Sequence, residues 1–300
     1  MGSEPGATPT DAIEPSSAYV TFTSQAYVAD ADAESTKATV DWLETQALHP
    51  FIREVAVKTF EQLALLPDEA ILEVGCGTGV FLPGIASRVG TEGRVVGLDH
   101  SAALLVQARE RLASAGLVDQ IELVEGDANQ LPFADGSFDA AHCERVLMHL
   151  EHPRRAIGEM VRVVRPGGRV VVAEVFGSGA TMDHPDAEAN HLIESTMMVN
   201  AIRNTRMGIQ LRGLFVEAGL TDVDGAVVGY FEPELDQDEM EEYARVARAL
   251  AERGQLDGAR AEAAIAALEE NRARGTYCGL ALIFVVSGRV PDGFEADPGA

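Results

Sequence analysis

The sequence predicts an α/β fold, a mostly parallel sheet covered by helices on both faces. Three observations predict it. From residue 70 onward, short apolar runs alternate with stretches of helical spacing. The first run, Ile71-Leu72-Glu73-Val74, passes straight into a turn built on Gly75, Gly77 and Gly79. The next two runs reach acids at their carboxyl ends, Asp99 and Asp127.

The predicted strands are Ala70–Val74, Arg94–Leu98, Ile121–Glu125, Phe138–Cys143 and Arg169–Glu174. Each is nearly continuous in apolar residues, as expected of strands buried on both faces. Helices are predicted over 79–89, 101–114, 153–163 and 205–218. Two further strands, Asp222–Phe231 and Cys278–Gly288, close the pattern. Before it lie two helices, 34–47 and 50–66, the second with Phe51, Val55, Phe60 and Leu63 at helical spacing. Pro67-Asp68 ends them. Two segments interrupt the alternation, 177–203 and 234–274; the second is acidic, with Asp238 as a helix cap and Gly254 as a stop. Insertions beyond the carboxyl ends of strands are where a lid over a ligand sits. The expected organisation is therefore a tail at 1–18, a helical arm or cover at 19–67, one domain at 68–291 with its two lid insertions, and a tail at 292–300.

Composition bounds the function. The 300 residues hold 23 Lys and Arg against 48 Asp and Glu, a formal net charge of −25. Such a chain repels phosphate backbones and anionic membrane surfaces, so neither nucleic acid nor membrane is an expected partner. Cys76, Cys143 and Cys278 are scattered singly with no metal-ligand spacing. The polar start, Met1 to Ser17, lacks the pattern of a secretory leader. A reduced, cytoplasmic setting is expected, with no metal.

The glycine turn carries the chemistry. Its glycines permit a tight turn and close approach of a ligand to backbone. The following helix start offers N–H groups to an anion. The spacing is G-x-G-x-G preceded by Glu73, not the G-x-G-x-x-G of dinucleotide sites. That favours a nucleoside carrying an amino acid, whose ammonium needs a nearby acid. Asp99, twenty positions after Gly79, is placed to accept from two ribose hydroxyls. Asp127, in Gly126-Asp127-Ala128, is placed to accept from an exocyclic amine.

At these residues the chain resembles the class I S-adenosylmethionine-dependent methyltransferases. The likeness continues through Leu131-Pro132-Phe133, Gly136-Ser137-Phe138-Asp139, Val146-Leu147-Met148-His149-Leu150 and Arg165-Pro166-Gly167-Gly168, and covers 70–232. The ending Gly279–Pro291 is similar to that family's last strand. The resemblance implies a Rossmann-like, doubly wound sheet of seven strands with the last one antiparallel. It implies S-adenosylmethionine as cofactor, with Glu73, Gly75, Gly77 and Gly79 holding the methionine part and Cys76 within that loop. Asp99 would take the ribose, with His100 beside the adenine and Asp127 and Ala128 flanking it. Glu144 would lie near the sulfonium and the acceptor. Cys143-Glu144-Arg145 departs from the Asn-Pro-Pro-Tyr of methyltransferases acting on exocyclic amines of DNA or on protein glutamine. That departure agrees with the charge in pointing to a small acceptor, of natural-product or quinone type on family likeness.

Methyl transfer needs alignment and exclusion of water, and a base only where a proton must leave. Candidate bases are His142, Glu144, His149, His152, Glu174, His184 and His191, of which Glu144, His149 and Glu174 are the catalytic candidates. Met197 and Met198 either line an apolar pocket or pack within a helix. The aromatic segment with Tyr19, Phe22 and Tyr27 either folds over the cofactor, Tyr27 or Tyr19 reaching it, or docks elsewhere. Other readings stay open: a cofactor-binding protein that catalyses another step such as cyclisation, and a nicotinamide oxidoreductase, against which the glycine spacing argues. Association with a second copy is also left open.

Overall fold

In the computed structural model the described residues are 33–293. The expected tail 1–18, residues 294–300 of the expected tail 292–300, and Tyr19, Phe22 and Tyr27 of the arm lie outside them. Two helices come first, α1 (Ala33–Leu48) and α2 (Pro50–Leu63). Proline at the first turn of α2 suits a position whose N–H has no helical partner, and the His49 side chain caps it by accepting from Phe51 N. The alternating part follows: β1 (Ala70–Val74), α3 (Leu82–Val89), β2 (Arg94–Asp99), α4 (Ala102–Ser114), β3 (Ile121–Glu125), β4 (Phe138–Glu144), α5 (Pro153–Val163) and β5 (Val164–Val175). After a two-residue strand β6 (Thr181–Met182) come α6 (Ala187–Ala201), α7 (Met207–Glu217), β7 (Thr221–Glu232), α8 (Gln237–Glu252), α9 (Gly258–Arg274) and β8 (Gly279–Arg289).

The first five strands are parallel in the spatial order β3-β2-β1-β4-β5. The last strand, β8, runs antiparallel to β5 along one edge and to β7 along the other. Where β5 leaves that edge, β6 pairs with Leu280 and Gly279 and prolongs it. The sheet thus has the seven long strands expected, the last reversed, plus this short eighth. Successive residues of each central strand point to opposite faces. Leu72, Val74 and Val96 join α5, α7 and the insertion helices in one core. Ile71, Val95 and Val171 join α2, α3 and α4 in the other.

The order reverses between β1 and β4, and an open α/β sheet leaves a crevice outside the carboxyl ends at that point. Register aligns Val74 with Leu98 and with Cys143, and Asp99 with Glu125. The chain positions just beyond, at Gly75, His100, Glu144 and Gly126, therefore lie around one crevice. No helix among the described residues is long and apolar enough to cross a membrane.

Several boundaries differ from the sequence reading, among them the end of α2 at Leu63 and the start of β5 at Val164, and two of the differences have a plain local cause. The helix expected from 79 begins at Leu82, because Gly79 holds φ +73° and keeps the turn open for three more residues. The cap of α8 is Asp236, not Asp238: Asp236 accepts from Glu239 N while the Glu239 side chain accepts from Asp236 N. Gly254, at φ +70°, follows the end of α8 as expected.

Candidate functional site

The glycine turn is fastened to the neighbouring strand before it meets any ligand. Gly75 N and Cys76 N donate to Leu98 O at 2.7 and 2.9 Å. Gly77 N donates to Asp99 Oδ2 at 2.8 Å, and Ser101 N to Asp99 Oδ1 at 2.9 Å. Asp99 thus closes the turn after β1 and starts α4, while its side chain lines a cavity of about 430 Å³. Gly75 and Gly77 hold φ of +73° and +53°, where a side chain is strained.

That cavity is lined by Gly75, Gly77, Asp99, His100, Asp127, Ala128, Glu144 and His149 among the residues singled out in the sequence. Asp127 Oδ1 accepts from Asn129 N and Nδ2 at 2.8 and 3.0 Å, a local turn that fixes its carboxylate. Glu144 ends β4; burial pushes its carboxyl up, while the adjacent Arg145 pulls it down. Burial, with the positive charge of Arg145, pushes His149 down to about 4, so its ring is neutral near pH 7.

Other sequence candidates lie outside the lining. Glu73 is buried behind it, its carboxyl pushed well up by burial and by Glu144 and Asp99. Cys76 turns into the core against Gly97, and Gly79 packs closely on Ala108. Glu174 Oε1 accepts from Val146 N at 2.9 Å and Leu147 N at 2.5 Å. It therefore shapes the 146–150 turn, whose residues Val146, Met148, His149 and Leu150 line the cavity. Burial raises Glu174 to about 8.

The remaining histidines separate by surroundings. His142 stacks on Phe81 with ring centroids 4.5 Å apart, and burial lowers it to about 3. His184 accepts from Asp186 N and bonds Ala264 O, both at 3.0 Å, tying the 177–203 insertion to α9. His152 and His191 are exposed. Met197 is buried in the core of α6, and Met198 packs beside Gly177. Tyr27 lies outside the described residues.

The sequence reading passed over Trp42, Leu43, Leu104 and Arg145 of the wall. Trp42 and Leu43 of α1 cover the crevice from outside the sheet. Arg111 of α4 holds α1 there: its Nη2 pairs with Glu44, and its Nε donates to Thr78 O at 3.0 Å. The one tryptophan of the chain, placed on a helix before the glycine turn, was the available signal. Arg145 stands between two expected residues, at φ +55°. None of α6, α8 or α9 contributes to the lining. Asn204, the residue after the 177–203 insertion, donates to Leu147 O and Leu150 O of the cavity turn at 2.9 and 2.8 Å.

Residues 72–172 match the family model described as a methyltransferase domain. A demethylmenaquinone methyltransferase of Desulfitobacterium hafniense is 41% identical over 119 residues, 40% of this chain and 46% of that one. The corresponding protein of Shouchella clausii is 31% identical over 185 residues, 55% of this chain and 76% of that one. The crystal structure of the [4+2]-cyclase SpnF shares the fold, with a TM-score of 0.52 at 24% identity over 80% of this chain and 82% of that one. The chain spans about half the length of most of the curated relatives it matches.

Proposed function

We propose that this chain, which belongs to the class I methyltransferases, binds S-adenosylmethionine in the crevice and transfers its methyl group to a small organic acceptor. The observation that carries the proposal is the cavity wall: left-handed glycines on one side and three strand-end acids, Asp99, Asp127 and Glu144, around an apolar lining of Leu98, Leu104, Met148 and Leu150. The donor set fits a nucleoside with a cationic amino-acid tail. Glu144 Oε2 and Glu73 Oε2 are buried without hydrogen-bond partners, as acceptors awaiting an ammonium would be.

Asp99 takes the ribose hydroxyls, using lone pairs beyond those given to Gly77 N and Ser101 N. Asp127 and Ala128 flank the adenine, with His100 at its edge. Gly75 and Gly77 bring backbone against the methionine part. Bound there, S-adenosylmethionine supplies a methyl group on a sulfonium. Trp42 and Leu43 exclude water from it, as transfer requires. The segment that follows the 177–203 insertion steadies the acceptor side of the site, Asn204 bonding the 146–150 turn. The relatives' names include demethylmenaquinone methyltransferase, so quinone-type or natural-product rings are the acceptors to try first.

Calorimetric titration with S-adenosylmethionine tests the cofactor. Release of S-adenosylhomocysteine with a panel of hydroxylated ring compounds tests the transfer. Absence of cofactor binding sinks the proposal. Binding with no release against any acceptor, alongside chemical change of a substrate, favours a different step such as cyclisation.

A further inference from the structure

Among the described residues, Arg145 is the one lysine or arginine that lines the cavity, in a chain of net charge −25. Its backbone is clamped from both sides. Arg145 N donates to Ala173 O at 2.8 Å, and the next two N–H groups are taken by Glu174. Between these clamps Arg145 adopts φ +55°, a region where glycine is at home and an L side chain is strained. A turn alone would be better served by glycine, and strain of this kind is kept where it aims a side chain.

The guanidinium is poorly satisfied where it stands. Its side chain is 17% exposed, and its ion pair with Glu144 Oε1 is long, at 3.3 Å. Arg145 Nε completes no hydrogen bond. Glu144 is at the same time the acid expected beside the sulfonium. A neutral acceptor would leave two cations sharing that one carboxylate. An anionic acceptor between sulfonium and guanidinium gives alternating charge instead, and an arginine fork is suited to an oxyanion.

We infer that Arg145 recognises the acceptor, and that the acceptor presents an oxyanion to it, from a phenol, an enol or a carboxylic acid. This rests on the methyltransferase reading above and names the substrate class of that same site. The acceptor loses its proton to solvent on binding, because the positive charge of Arg145 lowers its pKa in a water-poor cavity. Its oxygen, or a ring carbon conjugated to it, then forms the bond to the methyl group. The carbon–sulfur bond breaks, its electron pair going to sulfur, and the anion and the sulfonium both become neutral.

The other charged groups around the site do not do this work. His149 is neutral and a weak base. Glu174 lies beneath the turn with Oε1 held by backbone N–H groups, and it is not part of the cavity lining. His100 stands beside Asp99, 3.4 Å from its carboxylate. Glu73, Asp99, Asp127 and Glu144 are acids, and all of them disfavour an anion. Arg145 must outweigh them locally.

The test uses the full chain loaded with S-adenosylhomocysteine and three probes: 4-nitrophenol, 4-nitrobenzoate and the neutral 4-nitroanisole. Trp42, the single tryptophan, lines the cavity and reports binding by quenching. Nitrophenolate absorbance reports ionisation of the bound probe directly. The expected result is that one of the two acidic probes binds about ten-fold more tightly than the ether, and that bound nitrophenol ionises roughly one pH unit below the free compound. Preference for nitrobenzoate assigns a carboxylic acid, and preference for nitrophenol a phenol or enol. Arg145→Gln should abolish the preference and the ionisation shift, and Arg145→Lys should restore part of both. Equal binding of acid and ether, binding of none of the probes, or a wild-type shift in Arg145→Gln overturns the inference. Failure of the wild-type chain to bind S-adenosylhomocysteine overturns the cofactor reading itself, a separate outcome.

Discussion

The carboxyl ends of β1 to β4 and the helical layer of α6, α8 and α9 differ in how they handle buried polar groups. In the first region Glu73, Glu144 and Arg145 each leave a buried atom without a hydrogen-bond partner. In the second, several polar side chains satisfy one another, and among the described residues of these helices Asn200 Nδ2 alone is left buried without a partner. Tyr243 OH donates to Asn190 Oδ1 at 3.0 Å, and Asn190 Nδ2 donates to Glu194 Oε2 at 2.9 Å. Arg260 forks onto Asp186 at 2.6 and 2.7 Å. A buried polar group that lacks a partner costs free energy unless something else satisfies it. The unpartnered atoms of the first region gather around one crevice, as a site completed by a ligand would have them, and the second region holds a single one, Asn200 Nδ2, outside the crevice lining.

Four substitutions break or sharpen that contrast. The largest effect is expected of Gly75→Ala. A Cβ there would stand 2.3 Å from Val146 Cγ2, on a backbone at φ +73°. Left-handed strain and overpacking together should cost about 2–5 kcal/mol, read as a lower urea midpoint, and the 146–150 wall should move with it. Stability within 1 kcal/mol of the parent would mean that the turn is looser than it stands here. Asp99→Ala should weaken S-adenosylmethionine by tens-fold, roughly 1.5–3 kcal/mol for a lost charged acceptor. Calorimetry showing unchanged affinity removes Asp99 from the site.

Glu174→Gln probes the support beneath the wall. Burial holds the Glu174 carboxyl up at about 8, so the folded chain keeps a proton that the unfolded chain releases. That contribution is fully present in acid and declines as pH rises from the ordinary carboxylate range through about 8. The glutamine keeps an oxygen for Val146 N and Leu147 N but cannot ionise. Stability of the variant between pH 5 and 8 should fall less steeply, by up to roughly 1.4 kcal/mol per pH unit. Parallel curves for the two proteins would show that Glu174 does not titrate in this range. The smallest effect is expected in the helical layer. Tyr243→Phe should lower stability by about 1 kcal/mol and leave cofactor affinity untouched. A change in affinity would show that the two regions are not separate.

Much of the fold was legible because it is written locally. Apolar runs such as Leu72 to Val74 and acids at strand ends depend on a few neighbouring residues, and Asp99, Asp127 and Glu144 all reach one cavity. The boundary errors were local as well. Asp236 and Asp238 are equally good caps in isolation, and only the reciprocal bond with Glu239 selects Asp236. The start of α3 at Leu82 depends on how far the turn stays left-handed, which a glycine permits but does not compel.

By itself the sequence determined the alternation of strand and helix, the glycine turn and the order of its acids, since period, turn chemistry and strand ends are short-range properties. Only the tertiary structure decided which of those residues face the crevice. Cys76 and Glu174 turn away from it, and Arg145 turns in, because strand register and a carboxylate from the next strand fix each backbone. The cover was decided there too. Trp42 reaches a turn more than thirty positions further along because Arg111, from a third element, holds α1 against it. A contact among three elements distant in sequence has no local signature, so packing alone could assign it.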